Sequence, residues 1–181
     1  MNPVLLETLR TAQRFGFFGE RAIEQAIEHS MQFVDAIEEV EPPGRLLDLG
    51  SGGGLPGLVI ADARPELEVV LLDRRQKRTD FLERAVIKLC QTNTTVVCAD
   101  VSELIRDVAS GATEHFDIVT ARGFGPPDVT LRSAVAVMGE RGRVLISEPP
   151  EGDRWHPDLL AELGVSSQRW GTVRVFRRLD A

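Results

Sequence analysis

The residues with the most evident chemical use lie between positions 48 and 57, Asp48-Leu49-Gly50-Ser51-Gly52-Gly53-Gly54-Leu55-Pro56-Gly57. Four glycines in the five positions 50–54 let the backbone turn sharply and come close to a ligand. A helix starting just after such a turn presents unpaired N–H groups. Gly52, Gly54 and Gly57 match G-x-G-x-x-G, a spacing that cradles a dinucleotide pyrophosphate when it joins a strand to a helix. Asp48 favours a different ligand. A carboxylate in that crevice repels a pyrophosphate and suits a cation, such as the sulfonium and amino group of S-adenosylmethionine. Asp73, nineteen residues after Gly54, ends the next apolar run, where an acid can accept hydrogen bonds from ribose hydroxyls. Three alternatives stay open here: a nicotinamide or flavin ligand, a turn with no ligand, and an Asp48 that merely holds the N–H groups of the loop.

These residues need elements to position them. Five short apolar runs are expected as strands: 46–50, 69–73, 95–100, 117–122 and 143–147. None alternates apolar with polar, as expected of parallel strands covered on both faces. Helical spacing of apolar residues appears at 79–90, 101–109 and 128–138. This alternation predicts an α/β doubly wound, Rossmann-like sheet, mostly parallel, with right-handed crossovers. Residues 165–170 and 172–179, divided by Gly171, read as a C-terminal antiparallel hairpin. Upstream, Ile23, Ile27, Met31, Val34 and Ile37 define one amphipathic helix over 20–40, ended by Glu41-Pro42-Pro43-Gly44. Residues 1–44 are thus a helical lead-in expected to pack on a main domain at 45–181, with Phe15, Phe17 and Phe18 contributing to the contact.

The chain has 181 residues with 43% hydrophobic and 27% charged, enough for one domain with its own core. It shows no apolar run of membrane-spanning length and no signal-peptide pattern, so a cytoplasmic protein is expected. Cys90 and Cys98 form no metal-binding pair and are expected in the core or half-buried. His29, His115 and His156 have no ligand spacing, and no metal is expected. The formal net charge is −7, which weighs against a dedicated nucleic-acid binder. The acidity is concentrated in residues 1–44, with eight acids and three bases. Two basic clusters stand apart from it: Arg74, Arg75, Lys77 and Arg78, and Arg169, Arg174, Arg177 and Arg178. Phe124, Trp155 and Trp170 are the aromatic candidates for stacking on an unpaired base.

The stretch LLDLGSGGGLPGLVIADARPELEVVLLDRRQKRTDFLERAV resembles the RsmG, or glucose-inhibited division protein B, family. The features that carry the resemblance are Leu55-Pro56-Gly57 after the glycines, Gln76-Lys77-Arg78 after the acid of the second strand, Phe81-Leu82, the run Phe116–Arg122, and Ile27-Glu28-His29. The family consists of S-adenosylmethionine-dependent methyltransferases that modify N7 of a guanine in small-subunit ribosomal RNA. The resemblance implies that fold, that cofactor, and ribosomal RNA or the small subunit as partner. By position it implies that Gly50 and Leu55 line the methionine and adenosine side, that Asp73 holds the ribose, and that Val101 and Ser102 flank the adenine. It puts Arg122 at the junction of cofactor and substrate. Arg74, Arg75 and Phe124 are then the residues expected to meet the substrate. No general base is expected, because N7 carries no proton.

The chain departs from the family pattern in places. Ser147-Glu148-Pro149-Pro150 stands where a lysine-glycine is usual, Gln32-Phe33 replaces an Asp-Ser pair, Ser102 takes the place of an acid, and the lead-in is shorter. A methyltransferase of the same ancestry with a small-molecule substrate, or a non-catalytic relative that keeps the pocket, are the alternative functions.

Overall fold

The order of buried runs and amphipathic helices produces a sheet covered on both faces. The structure is a computed structural model and describes residues 2–19, 22–37, 44–149 and 151–179. Its strands are β1 (Arg45–Leu49), β2 (Glu68–Asp73), β3 (Thr94–Cys98), β4 (Phe116–Ala121), β5 (Met138–Ser147), β6 (Val165–Trp170) and β7 (Val173–Arg178). Among the described residues they form one sheet in the order β3-β2-β1-β4-β5-β7-β6. β1 to β5 pair in parallel, and β7 inserts antiparallel between β5 and β6. The strand order reverses between β1 and β4, the place where open α/β sheets leave a ligand crevice.

The helices are α1 (Pro3–Arg14), α2 (Ile23–Ala36), α3 (Gly57–Ala63), α4 (Gln76–Leu89), α5 (Val101–Ser110), α6 (Pro127–Val137) and α7 (Pro157–Leu163). Alternate strand residues face opposite layers. Leu46, Leu71 and Ile118 join the core formed with α1 to α4, while Leu47, Leu49, Leu72 and Val119 join the core formed with α5 and α6.

Several sequence expectations are corrected. The lead-in contains two helices, because Asn2 caps α1 by accepting from the Val4 N–H and Pro3 fills its first turn. The helix expected over 20–40 is described only as α2, and Glu20, Arg21 and residues 38–43, including the Glu41-Pro42-Pro43 stop, lie outside the described residues. β3 is not covered on both faces: it is the edge of the sheet and its residues are half-buried or exposed. Cys98 at its end and Cys90, the left-handed cap of α4, are both exposed rather than in the core. β5 starts at Met138, five residues before the apolar run that marked it, across an irregularity in its pairing with β4.

α2 docks mainly through apolar burial. Ile23, Ile27 and Phe33 are all in the core, and each such side chain contributes about 1.5–3 kcal/mol. Phe15 and Phe17 both meet the Phe81 ring of α4 edge-on, at 6.1 and 5.5 Å. Among the described residues no helix is long and apolar enough to cross a membrane.

Candidate functional site

The glycine segment crosses from β1 to α3 at the switch point. The N–H groups of Gly50 and Ser51 both donate to the Leu72 carbonyl, at 2.8 and 2.9 Å, which ties the turn to β2. Gly54 has φ +100°, and a Cβ there would also stand 2.3 Å from Leu58 Cδ1. Only glycine meets both conditions without strain. At Gly57 the demand is close approach: a Cβ would stand 2.3 Å from Leu71 and 2.6 Å from Asp48 Oδ2.

Asp48 explains that approach. The register pairs it with Thr120 on the neighbouring strand. Its Oδ1 accepts from Thr120 Oγ1 at 2.8 Å, and its Oδ2 accepts from the Gly57 N–H at 3.1 Å. Its side chain is 1% exposed. Burial pushes its carboxyl up to about 6, against the lowering effect of the Thr120, Ser51 and Gly57 hydrogen bonds and of Arg122. Asp48 therefore lies beneath the turn and braces it, instead of facing the crevice at the methionine end of a ligand.

Asp73, at the end of β2, does reach the crevice. Its Oδ2 accepts from the Gly52 N–H at 3.0 Å and from Arg78 Nη1 at 3.3 Å, and its Oδ1 accepts from the Arg75 N–H at 2.9 Å. A carboxylate offers about four lone-pair sites, so Oδ1 keeps one for a further donor. The carboxylate borders a cleft of about 470 Å³ that runs along the carboxyl ends of β3, β2, β1 and β4. That size accommodates a small ligand or cofactor.

Of the residues expected at the cofactor, Gly50, Asp73 and Val101 line this cleft, as do Arg74, Arg75 and Phe124 from the substrate set. Gly52 reaches it through its hydrogen bond to Asp73. Gly54 and Leu55 sit in the turn behind it, and Leu55 is part of the core. Ser102 is exposed on α5, with its N–H donating to Asp100 Oδ1 at 3.0 Å. Asp100 is the acid that sequence reasoning missed. It caps α5, lines the cleft, and is held below the usual carboxylate range by the hydrogen bonds from Ser102, with a smaller contribution from Arg74. Asp100 with Glu103 three residues later is a helix-start signal that could have singled it out.

Arg122, expected at the junction of cofactor and substrate, is tied to the lead-in. Its Nη1 donates to the Ala26 carbonyl at 3.1 Å and to Ser30 Oγ at 3.3 Å, binding the end of β4 to α2. It borders a second cleft of about 410 Å³, between the ends of β4 and β5, together with His29, Phe124, Ser147, Glu148 and Arg154. These two hydrogen bonds are worth about 1–3 kcal/mol together, less than the apolar burial of α2. Arg122→Ala is therefore expected to speed amide exchange in α2 several-fold while the helix stays docked. Unchanged exchange there would show that Arg122 does not tether it.

The departures from the family pattern have structural partners. Glu148 is buried, and its Oε1 accepts from Arg154 Nε at 3.0 Å and from Trp155 Nε1 at 2.9 Å. Gln32 Oε1 accepts from Thr172 N and Oγ1, and Phe33 is in the core. Pro150 lies outside the described residues.

The RNA-facing candidates divide. Trp155 is buried edge-on against Phe176 and offers no stacking face, whereas Trp170 is 53% exposed. Arg174 is buried and pairs with Asp153 at 3.0 Å, Arg169 donates to the carbonyls of Pro149, Gly152 and Gly171, and Arg178 donates to those of Val135 and Met138. The C-terminal arginines with described partners thus fasten neighbouring loops and the junction of α6 with β5. Arg78 turns toward Asp73, and Arg74, Arg75 and Lys77 are exposed. No group of His, Cys, Asp and Glu among the described residues is arranged to hold a metal.

The chain resembles known proteins in sequence and in fold. A relative from Sorangium cellulosum, named ribosomal RNA small subunit methyltransferase G, is 37% identical over 68% of this chain and 50% of its own length. One of the same name from Mycolicibacterium smegmatis is 33% identical over 92% of this chain and 64% of its own length. The chain thus spans about half to two thirds of these curated relatives. A solved SAM-dependent methyltransferase from Thiobacillus denitrificans, in complex with S-adenosyl-L-homocysteine, shares the fold with a TM-score of 0.58 at 19% identity, over 78% of this chain and 65% of its own. The family model described as rRNA small subunit methyltransferase G matches residues 5–148, the lead-in helices and the sheet through β5, and the chain belongs to that family, GidB.

Proposed function

We propose that this protein is an S-adenosylmethionine-dependent methyltransferase that acts on N7 of a guanine in small-subunit ribosomal RNA. Besides family membership, the observation that carries this reading is the row of groups along the first cleft: Asp100 and Val101 at β3, Asp73 at β2 and Gly50 at β1. An adenine, a ribose and an amino-acid tail fit that row in order. The free lone pair of Asp73 Oδ1 suits a ribose hydroxyl, and the half-buried Val101 suits an adenine face.

When bound, S-adenosylmethionine supplies an electrophilic methyl group. The task of the chain is positioning. Guanine N7 has a lone pair and no proton, so no side chain has to act as a base. Holding the nucleophile in line at about 3–3.5 Å is the main source of acceleration for such a transfer. The glycine turn, braced by Asp48 below and by Asp73 at its side, provides a fixed floor. The second cleft, bordered by Phe124 and Arg122, is the room for the acceptor. Arg74 and Arg75 at the rim are placed to meet phosphate, a contact that weakens with salt. A protein with this role works in the cytoplasm.

The bound arginines of the C-terminal segment and the net charge of −7 favour a second reading, a small-molecule acceptor. Transfer of labelled methyl to purified small-subunit RNA or small subunits, followed by nucleoside analysis, separates the two. Label in 7-methylguanosine is expected. Label in another nucleoside, or none, overturns the assignment of the acceptor.

A further inference from the structure

In spatial order across the sheet, the carboxyl ends of β3, β2, β1, β4 and β5 carry Asp100, Asp73, Gly50, the segment Gly123-Phe124-Gly125 and Ser147. The first cleft spans β3 to β4 and the second lies between β4 and β5. The residues common to both are Gly123, Phe124 and Gly125. Phe124 is half-buried, and its ring lies directly on Gly50. A Cβ built on Gly50 would stand 2.7 Å from Phe124 Cδ2 and 3.5 Å from Cε2. The ring thus fills the space above the end of β1, on the line from Asp73 to the second cleft.

The segment that carries the ring has few steric restraints. Gly123 has φ +64° and nothing within 4 Å of a Cβ position, and Gly125 has only Thr130 Oγ1 at 3.9 Å. Beyond them Pro126 and Pro127 fix the start of α6. Two permissive residues therefore flank one large ring between rigid anchors, the end of β4 and the helix.

We infer that Phe124 is a movable partition between the two clefts: in the free protein its ring occupies the room over Gly50 that the amino-acid end of the cofactor needs, and on displacement it reshapes the acceptor cleft that it already borders. This rests on the cofactor reading above. It goes further, because the acceptor cleft reaches its final shape only after the cofactor is in place. A ligand that fills only the β3 and β2 positions leaves the ring where it is. A ligand that extends over β1 must move it.

The test is calorimetric titration of the parent and of Phe124→Ala with two ligands, adenosine and S-adenosylhomocysteine, together with a crystal structure of the parent with S-adenosylhomocysteine. Adenosine affinity is expected to change by less than about twofold in Phe124→Ala. S-Adenosylhomocysteine is expected to bind the variant about fivefold more tightly than the parent, the cost of undocking a half-buried ring having been removed. In the complex the ring should be off Gly50 and displaced toward the second cleft. Equal shifts for the two ligands, weaker binding of S-adenosylhomocysteine by the variant, or a ring still on Gly50 in the complex would each overturn the partition and leave the cofactor reading intact. Failure of the folded parent to bind either ligand would overturn the cofactor reading, and the partition with it.

Discussion

Asp73→Ala is expected to weaken S-adenosylhomocysteine binding by about 10- to 100-fold, read by calorimetric titration. A carboxylate that accepts from a ribose hydroxyl at its one free site contributes about 1.5–3 kcal/mol, which corresponds to about one to two decades in affinity. The variant also loses the acceptor that holds the N–H groups of Gly52 and Arg75 and the guanidinium of Arg78. A moderate stability loss of about 2 kcal/mol, or a Tm about 4–8 °C lower, should accompany it. Asp73→Asn separates the two effects. It keeps one oxygen acceptor and should recover more of the stability than of the affinity. If Asp73→Ala bound the ligand like the parent, the ligand would not lie at the end of β2.

Asp48 governs the second large effect, on stability as a function of pH. Its ordinary value is 3.8, and burial raises it to about 6 in the folded protein. The folded state therefore holds the proton more tightly than the unfolded state does. Between these two values the folded protein binds more protons, so this group makes stability fall as pH rises from about 4 to about 6. Above that range the cost is complete, and the shift corresponds to about 3 kcal/mol. Asp48→Asn removes the titration and keeps an oxygen that can accept from Gly57. Denaturant unfolding of both proteins from pH 4 to 7 should show the variant gaining on the parent by up to about 3 kcal/mol across that range. Parallel stability curves would mean that the Asp48 carboxyl is not raised by its surroundings. The surface carboxylates lowered by local hydrogen bonds, Glu24, Asp100 and Asp153 among them, act in the opposite direction and at lower pH, and they are common to both proteins.

These two acids differ in how far the sequence reveals them. Both end or interrupt an apolar run beside the glycine turn, and by type and spacing both look like ligand groups. The side chain of Asp48 points to the α3 face and is claimed by Thr120, a residue 72 positions away. Asp73 stands at the last position of its strand, where the chain leaves the sheet and the crevice opens. A one-residue difference in where a strand ends separates an acid wholly enclosed beneath the turn from one that also borders the cleft, and strand ends are the part of a pattern that sequence specifies least.

By itself the sequence determined what is local. The glycine turn, the apolar runs of β1, β2, β4 and β5, the helical spacing of α4 to α6 and the β6–β7 hairpin all follow from residue type and period over a few positions, which is why the doubly wound sheet could be read before any coordinates. The tertiary structure decided what depends on distant partners. It made β3 an edge strand, and so exposed Cys98, because nothing in Thr94–Cys98 tells it which strand is its neighbour. It turned Arg122 onto α2, across 96 residues, to join the lead-in to the site. It buried Trp155 against Phe176 and gave Glu148 its arginine and indole donors. It also laid Phe124 on Gly50, 74 positions apart in the chain. Period and turn chemistry are encoded over one or two turns of chain, whereas side-chain partners are fixed only when strand order and register bring remote segments within a few ångströms.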